Sequence, residues 1–383
     1  MRRHLMAYVA VLLLVTVACG SKEPGSGAGR TRPGSKEVLW VFESSGAIES
    51  RPVVVGDAVL VASRSGAIYL LDRKTGAVRW KYDARQDAKT SGFHAEPLVA
   101  DDLIVVGTDG DGEGNIYALE TASGQVRWKL PIAGDPNAPG GSRAGIARAG
   151  GSVYAVGMDG KLRCVDLKTG KESWTFADVE KESSPAADAT RVFVGGTDGK
   201  IHALDAATGN PAWESDLQST ITTGVTAKDG ALFVGTSPFR VVNLVADTGI
   251  ATQKFGLQSK PVRTLAVSGN AIVAFLHSKS GEGEADTLIA LDLQSGRILW
   301  ARKAPTEWTS SRPEIWRDMV LAGDREGELQ AFGVADGVKR WTYKASEGLL
   351  GIGVADDALY LGTTTGSVYA VDPQKIAGAQ AAK

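Results

Sequence analysis

Short apolar runs recur along the chain, at residues 58–62, 103–106, 192–194 and 319–322. Each leads into a turn carrying glycine, such as Thr197-Asp198-Gly199-Lys200, and then into a segment that alternates apolar and polar side chains, such as Ile201-His202-Ala203-Leu204. Runs of this length, bounded by turn residues and alternating with period two, predict β-strands joined as antiparallel hairpins. Aspartate opens each turn, and glycine takes the positive φ that side chains resist.

A second element follows the hairpins. Its clearest copy is Ala203-Leu204-Asp205-Ala206-Ala207-Thr208-Gly209-Asn210-Pro211-Ala212-Trp213. Further copies run from Leu71-Asp72 through Thr75-Gly76 to Trp80, from Leu119-Glu120 to Trp128, from Val165-Asp166 to Trp174 and from Leu291-Asp292 to Trp300. Two are degenerate: Phe332-Gly333 to Trp341, and Leu244-Val245 to Thr248-Gly249, where Gln253 stands in for tryptophan. Val371-Asp372 stops before any Thr-Gly or Trp, whereas Val38-Leu39-Trp40 is a strand ending in Trp with no turn before it, so each supplies what the other lacks. The result is eight units with a period of about 40 residues, the mark of a repeat protein. A single sheet hydrophobic on both faces cannot stand alone, so neighbours must pack around an axis until the ring closes. The expected fold is all-β: an eight-bladed β-propeller of four-stranded antiparallel blades with tryptophan-docking repeats over residues 36–373. A disordered tail is expected at 374–383.

The Ala-x-Asp-x-x-Thr-Gly-x-x-x-Trp pattern resembles the tryptophan-docking motif of the pyrroloquinoline-quinone (PQQ) propeller superfamily and covers the chain from Trp40 to Asp372. It differs from the WD40 repeat, because Lys81, Lys129, Thr175 and Glu214 follow the tryptophan where aspartate would stand. The resemblance implies that Trp40, Trp80, Trp128, Trp174, Trp213, Trp300 and Trp341 dock against the next blade. A flat aromatic contributes a large buried area there, and its indole N–H finds a backbone acceptor. The alternative role for these rings is stacking on a ligand.

The N-terminus changes the picture. Arg2 and Arg3 precede an apolar run at 5–17, too short to span a bilayer with ease, which ends in Ala18-Cys19. This resembles a bacterial lipoprotein signal, with 1–18 as signal peptide, Cys19 as the lipidated residue and 19–35, rich in Gly, Ser, Pro and charge, as a flexible tether. Gly20 in place of aspartate points, by analogy with enteric bacteria, to the periplasmic face of the outer membrane. Cys164 is the second of two cysteines, so a lipidated Cys19 leaves no disulfide within the chain. Lys and Arg number 42 against 44 Asp and Glu, a balance that offers nothing to nucleic acid.

Catalytic patterns are sparse. His4, His94, His202 and His277 lie far apart, no His/Cys spacing suggests zinc, and neither a serine elbow nor a phosphate loop occurs. Quinoprotein dehydrogenases of the superfamily hold PQQ in the propeller funnel with calcium, a catalytic carboxylate and often two adjacent cysteines, and adjacent cysteines are missing here. The expectation is a non-enzyme without cofactor, with PQQ or calcium as the alternatives. In Asp109-Gly110-Asp111-Gly112-Glu113-Gly114-Asn115, the carboxylates of Asp109, Asp111 and Glu113 alternate with glycine as in a calcium loop. The competing reading, a lengthened solvated turn, is preferred because Glu120 at the twelfth position already belongs to the repeat. The innermost strands are expected to pass through Glu49-Ser50-Arg51-Pro52, His94-Ala95-Glu96-Pro97, Ser142-Arg143-Ala144, Val262-Arg263-Thr264 and Ser311-Arg312-Pro313. Arg51, Arg143, Arg263 and Arg312 against a lone Glu96 would give a basic funnel, either ion-paired and water-filled or open to an anion.

Signal, tether and eight repeats resemble the BamB family of lipoproteins, which serve the outer-membrane β-barrel assembly machine. Local likeness is carried by Gly323-Asp324-Arg325-Glu326-Gly327-Glu328-Leu329 and by Thr197-Asp198-Gly199. The resemblance places partner contacts in two loops, around Val179 to Glu182 and Gln218 to Ile221, where the family's residues have changed. It implies a non-catalytic, lipid-anchored periplasmic scaffold that binds envelope proteins through blade loops or exposed strand edges. The alternative is a receptor or quinoprotein that binds a small ligand or PQQ in the funnel.

Overall fold

A computed structural model of the protein describes residues 36–381 apart from 87–89, 135–138, 238–239, 258–259, 278–285 and 310. Cys19 and the segments expected as signal and tether lie outside the described residues. The described strands form eight antiparallel sheets, one per blade. In the first blade, Val53–Val55, Ala58–Ala62, Ala67–Asp72 and Val78–Asp83 lie side by side in chain order. The eighth is built from both ends of the ring: Leu349–Val354, Leu359–Thr363 and Ser367–Val371 are joined by Val38–Glu43, with Trp40 opposite Ala370 and Phe42 opposite Val368.

Blades that are apolar on both faces place the core between sheets. Each of eight buried clusters draws on two consecutive blades. Closure between the eighth and first blades rests on Trp40, Phe42, Tyr69 and Tyr360, and Arg73 donates from Nε to the Tyr360 hydroxyl at 3.1 Å across the same seam.

The repeat motif explains how one blade grips the next. Asp205 Oδ1 accepts hydrogen bonds from the Thr208 amide (2.8 Å) and hydroxyl (2.7 Å), folding the turn. Gly209 then sits at φ +74°, where a Cβ would also come within 2.6 Å of the Trp174 ring of the preceding blade. Glycine is therefore required twice, by backbone angle and by contact. Trp174 donates to Ala206 O at 3.2 Å. Trp40, Trp80, Trp128, Trp213 and Trp300 donate likewise to Arg73, Thr121, Leu167, Ala246 and Val334 carbonyls at 2.7 to 3.0 Å. Trp341 is buried too, but its Nε1 finds no acceptor among the described residues.

In the degenerate fifth blade two residues share the missing tryptophan's work. Gln253 Nε2 donates to Gln294 O at 2.5 Å, and the Phe255 ring lies where a Gly296 Cβ would approach to 2.4 Å.

The chain end corrects one expectation. Pro373–Ala381 is a helix, not a disordered tail. Asp372 Oδ1 caps it by accepting from the Gln374 and Lys375 amides at 2.9 and 3.2 Å, and Pro373 occupies the first turn, where it needs no donor. Ile376 is buried in the cluster that holds Trp341, filling the place of the absent Thr-Gly turn.

Strand direction assigns the two faces. The Thr-Gly turns and the start of the Val38–Glu43 strand lie at one end of the ring, since Val38 pairs with Val371. The segments leading into each innermost strand lie at the other.

Candidate functional site

These lead-in segments converge on a cavity of about 570 Å³ on the axis. Arg51, Glu96, Arg143, Arg263 and Arg312 all line it, together with His94. Their expected position within the inner strands needs correction. Arg51, Glu96, Arg143 and Arg312 precede the strands Val53–Val55, Leu98–Ala100, Ala147–Ala149 and Glu314–Trp316, and only Arg263 stands inside one, Val262–Ser268. Pro52, Pro97 and Pro313 account for three of these boundaries, because proline lacks the amide a ladder needs.

The funnel is less basic than expected, because buried acids arrive that the sequence pattern did not place there. Arg51 pairs with Glu96 and, at 3.5 Å, with Glu314. Arg312 donates from Nε to Glu314 at 2.6 Å and stands 3.6 Å from Glu96. Burial pushes the Glu314 carboxyl above the usual carboxylate range, against the pull of Arg312 and Arg51. Arg143 holds the fully buried Asp109 at 2.5 Å. His94 stands between Glu49 (2.9 Å from Nδ1) and Asp109 (3.3 Å from Nε2). Arg263 lies over the Phe275 ring, 5.5 Å from its centroid. Burial lowers its pKa, opposed by the charges of Asp286 and Glu307.

Asp109 owes its position to a strand extension. Leu103–Asp111 and Glu113–Glu120 are longer than the corresponding described strands of the other blades, and Thr90–Phe93 and Pro139–Gly141 both pair with the extended end. The calcium-loop reading fails on this geometry: Asp109 faces inward onto Arg143 and His94, whereas Asp111 and Glu113 are exposed at the tip. Among the described residues no three His, Cys, Asp or Glu side chains are grouped to hold a metal ion. The stretch is also no loose solvated turn, since most of it is paired strand.

The two candidate partner loops divide. Val179 and Ile221 are buried, at 0% and 5% exposure, in the cores on either side of the fourth blade, so neither is available for contact. Glu182 and Gln218 are exposed, and Glu182 stands 3.9 Å from Arg143 Nη1, at the funnel rim.

His94 sets a pH test. Hydrogen bonds to Asp109 and Glu49 raise its pKa from 6.5 to about 9, so the folded protein holds a proton that the unfolded chain releases above about 6.5. Its contribution is fully present below pH 6.5 and is lost as the pH rises through about 9. The melting midpoint should fall across that window, and His94→Gln should flatten the fall. A wild-type curve level from pH 6.5 to 9.5 would show that this ion triad adds nothing.

Ring, docking turns and funnel together define an eight-bladed propeller of the PQQ-repeat class. The chain belongs to the family described as outer membrane protein assembly factor BamB, whose model matches residues 29–177 and 158–378. Among solved structures it is similar to BamB from Moraxella catarrhalis, with 21% identity, a TM-score of 0.69, and 88% of this chain covering 99% of that one. It is also similar to the quinohemoprotein alcohol dehydrogenase from Comamonas testosteroni, with 14% identity, a TM-score of 0.69, and 88% of this chain covering 76% of that one. At these identities the likeness is one of fold. A polyvinylalcohol dehydrogenase from Pseudomonas sp. is 41% identical over 64 residues, which is 17% of this chain and 10% of the enzyme. The chain thus matches about a tenth of that curated relative's length.

Proposed function

We propose that the protein is a non-catalytic scaffold, lipid-anchored through Cys19 at the periplasmic face of the outer membrane, which binds envelope proteins of the β-barrel assembly machine. The observation that carries this reading is the fit to the BamB propeller, in which 99% of that chain finds a counterpart here against 76% of the dehydrogenase. Topology supports the arrangement. The strand that starts at Val38 enters on the face opposite the funnel, so a tether over 19–35 would hold the funnel rim away from the bilayer. Glu182, at the funnel rim, and Gln218, exposed just beyond the outer strand Pro211–Asp216 of the fourth blade, are the residues offered to a partner.

The funnel fits a quinone cofactor poorly. The described residues lining it include no Phe, Tyr or Trp on which a flat ring would stack. Glu96, Asp109 and Glu314 are committed to arginine or histidine, which leaves no carboxylate cage for calcium among the described residues. No step of quinone chemistry is assigned.

Tagged full-length chain, recovered from its native envelope after crosslinking, should bring down subunits of the assembly machine. The double variant Glu182→Lys, Gln218→Lys should bring down several-fold less while melting normally. Recovery of no such subunit above a tag-only control sinks the scaffold reading.

A further inference from the structure

The funnel's carboxylates stand mostly behind its arginines, and this order gives the cavity a chemistry of its own. Arg51, Arg143, Arg263, Arg312 and His94 line it, whereas Glu96 is the single acid among the described lining residues. Glu314 and Asp109 are buried behind that layer, with side chains 6% and 0% exposed. They fix the guanidinium planes without using every donor. Asp109 takes Nε and Nη2 of Arg143, leaving Nη1, among the described residues, with only Glu182 at 3.9 Å. Glu314 takes Nε of Arg312, whose Nη2 is 3.6 Å from Glu96 and so outside hydrogen-bond range. Guanidiniums held this way are preorganised forks for an oxyanion.

We propose that the funnel binds a small, non-planar anion bearing at least two carboxylate or phosphate groups. More than one group is needed because the arginines reach the cavity from the first, third, sixth and seventh blades, and a single oxyanion cannot meet opposite walls. The ligand is small because the cavity of about 570 Å³ lies within the range of small-molecule sites. It is non-planar because no Phe, Tyr or Trp is offered for stacking among the described lining residues, and the His94 ring is held between Glu49 and Asp109. The hydroxyls of Thr226 on the fifth-blade wall and of Ser311 beside Arg312 suit the polar groups between the charges. The site adjoins one residue assigned to a protein partner, Glu182, 3.9 Å from Arg143 Nη1, but its test uses no partner protein, so either reading can fail alone.

The test is calorimetric titration of the full-length chain at low ionic strength with citrate, with pyrophosphate and with glucose as a neutral control. At least one anion should bind with a stoichiometry near one per chain, and glucose should not. Citrate alone would assign carboxylate, and pyrophosphate alone would assign phosphate. Arg263→Gln and Arg143→Lys should each weaken binding about tenfold or more, through loss of a charge-assisted fork. Arg143→Lys keeps a cation on buried Asp109 and so guards against simple unfolding, which the melting curve checks. Silence of both anions up to about 10 mM, or binding unchanged in both variants, overturns the proposal.

Discussion

Deleting residues 36–44 should abolish cooperative unfolding of the ring or lower its midpoint drastically. The segment carries the outer strand of the eighth blade, in which Trp40, Val41 and Phe42 are all at most 4% exposed. Val41 belongs to the core shared with the seventh blade, and Trp40 and Phe42 to the core shared with the first. Losing a buried tryptophan costs about 3–5 kcal/mol, and each smaller apolar side chain about 1.5–3 more. The sum is comparable with the total stability of a typical domain, about 5–15 kcal/mol. The deletion also strips the Ser367–Val371 strand of its partner and leaves its edge open to aggregation. Thermal unfolding followed by circular dichroism decides the matter. A shortened chain that melts at the full-length midpoint would mean that the ring closes without this strand.

The fold was legible because the repeat encodes a local device with a long-range consequence. Asp and Thr fold a turn, Gly clears it, and Trp from about one blade earlier fills the clearance, so spacing alone implies stacking blades. The funnel's electrostatics were not legible. Arg51 meets Glu314 across 263 residues, a contact that only the closing of the ring creates. Asp109 reaches Arg143 because a hairpin is longer than its neighbours, and its acid-glycine alternation imitated a cation loop. Val179 and Ile221 were placed in loops by family position, yet the segments between blades also cap the inter-blade cores, which buries their apolar members. A signal for the terminal helix was present in Asp372-Pro373, an N-cap followed by a first-turn proline. Phe255 was legible as well: positions 253 and 255 share one face of a strand, so an aromatic two residues beyond the missing tryptophan points at the same neighbour.

That last relation makes a second large effect predictable. Trp128→Ala and Trp213→Ala should each cost about 3–5 kcal/mol, as truncations of packed aromatics. Each also leaves a turn carbonyl, of Leu167 or Ala246, without its indole donor. In the fifth blade the cost should follow the ring and not the aligned position. Phe255, 5% exposed and packed on Gly296, should lose about 3–5 kcal/mol on truncation to alanine. Gln253 donates one hydrogen bond from a half-buried position, so Gln253→Ala should cost about 1 kcal/mol or less. Denaturant unfolding of the four variants measures the differences directly, with an unchanged slope confirming that native stability is what has moved. Equal, small losses at Trp128, Trp213 and Phe255 would mean that the rings do not hold the blades together, and would reopen the possibility that they serve a ligand. A large loss at Gln253 with a small one at Phe255 would instead place the fifth blade's grip in the hydrogen bond, reversing the division of labour that the packing implies.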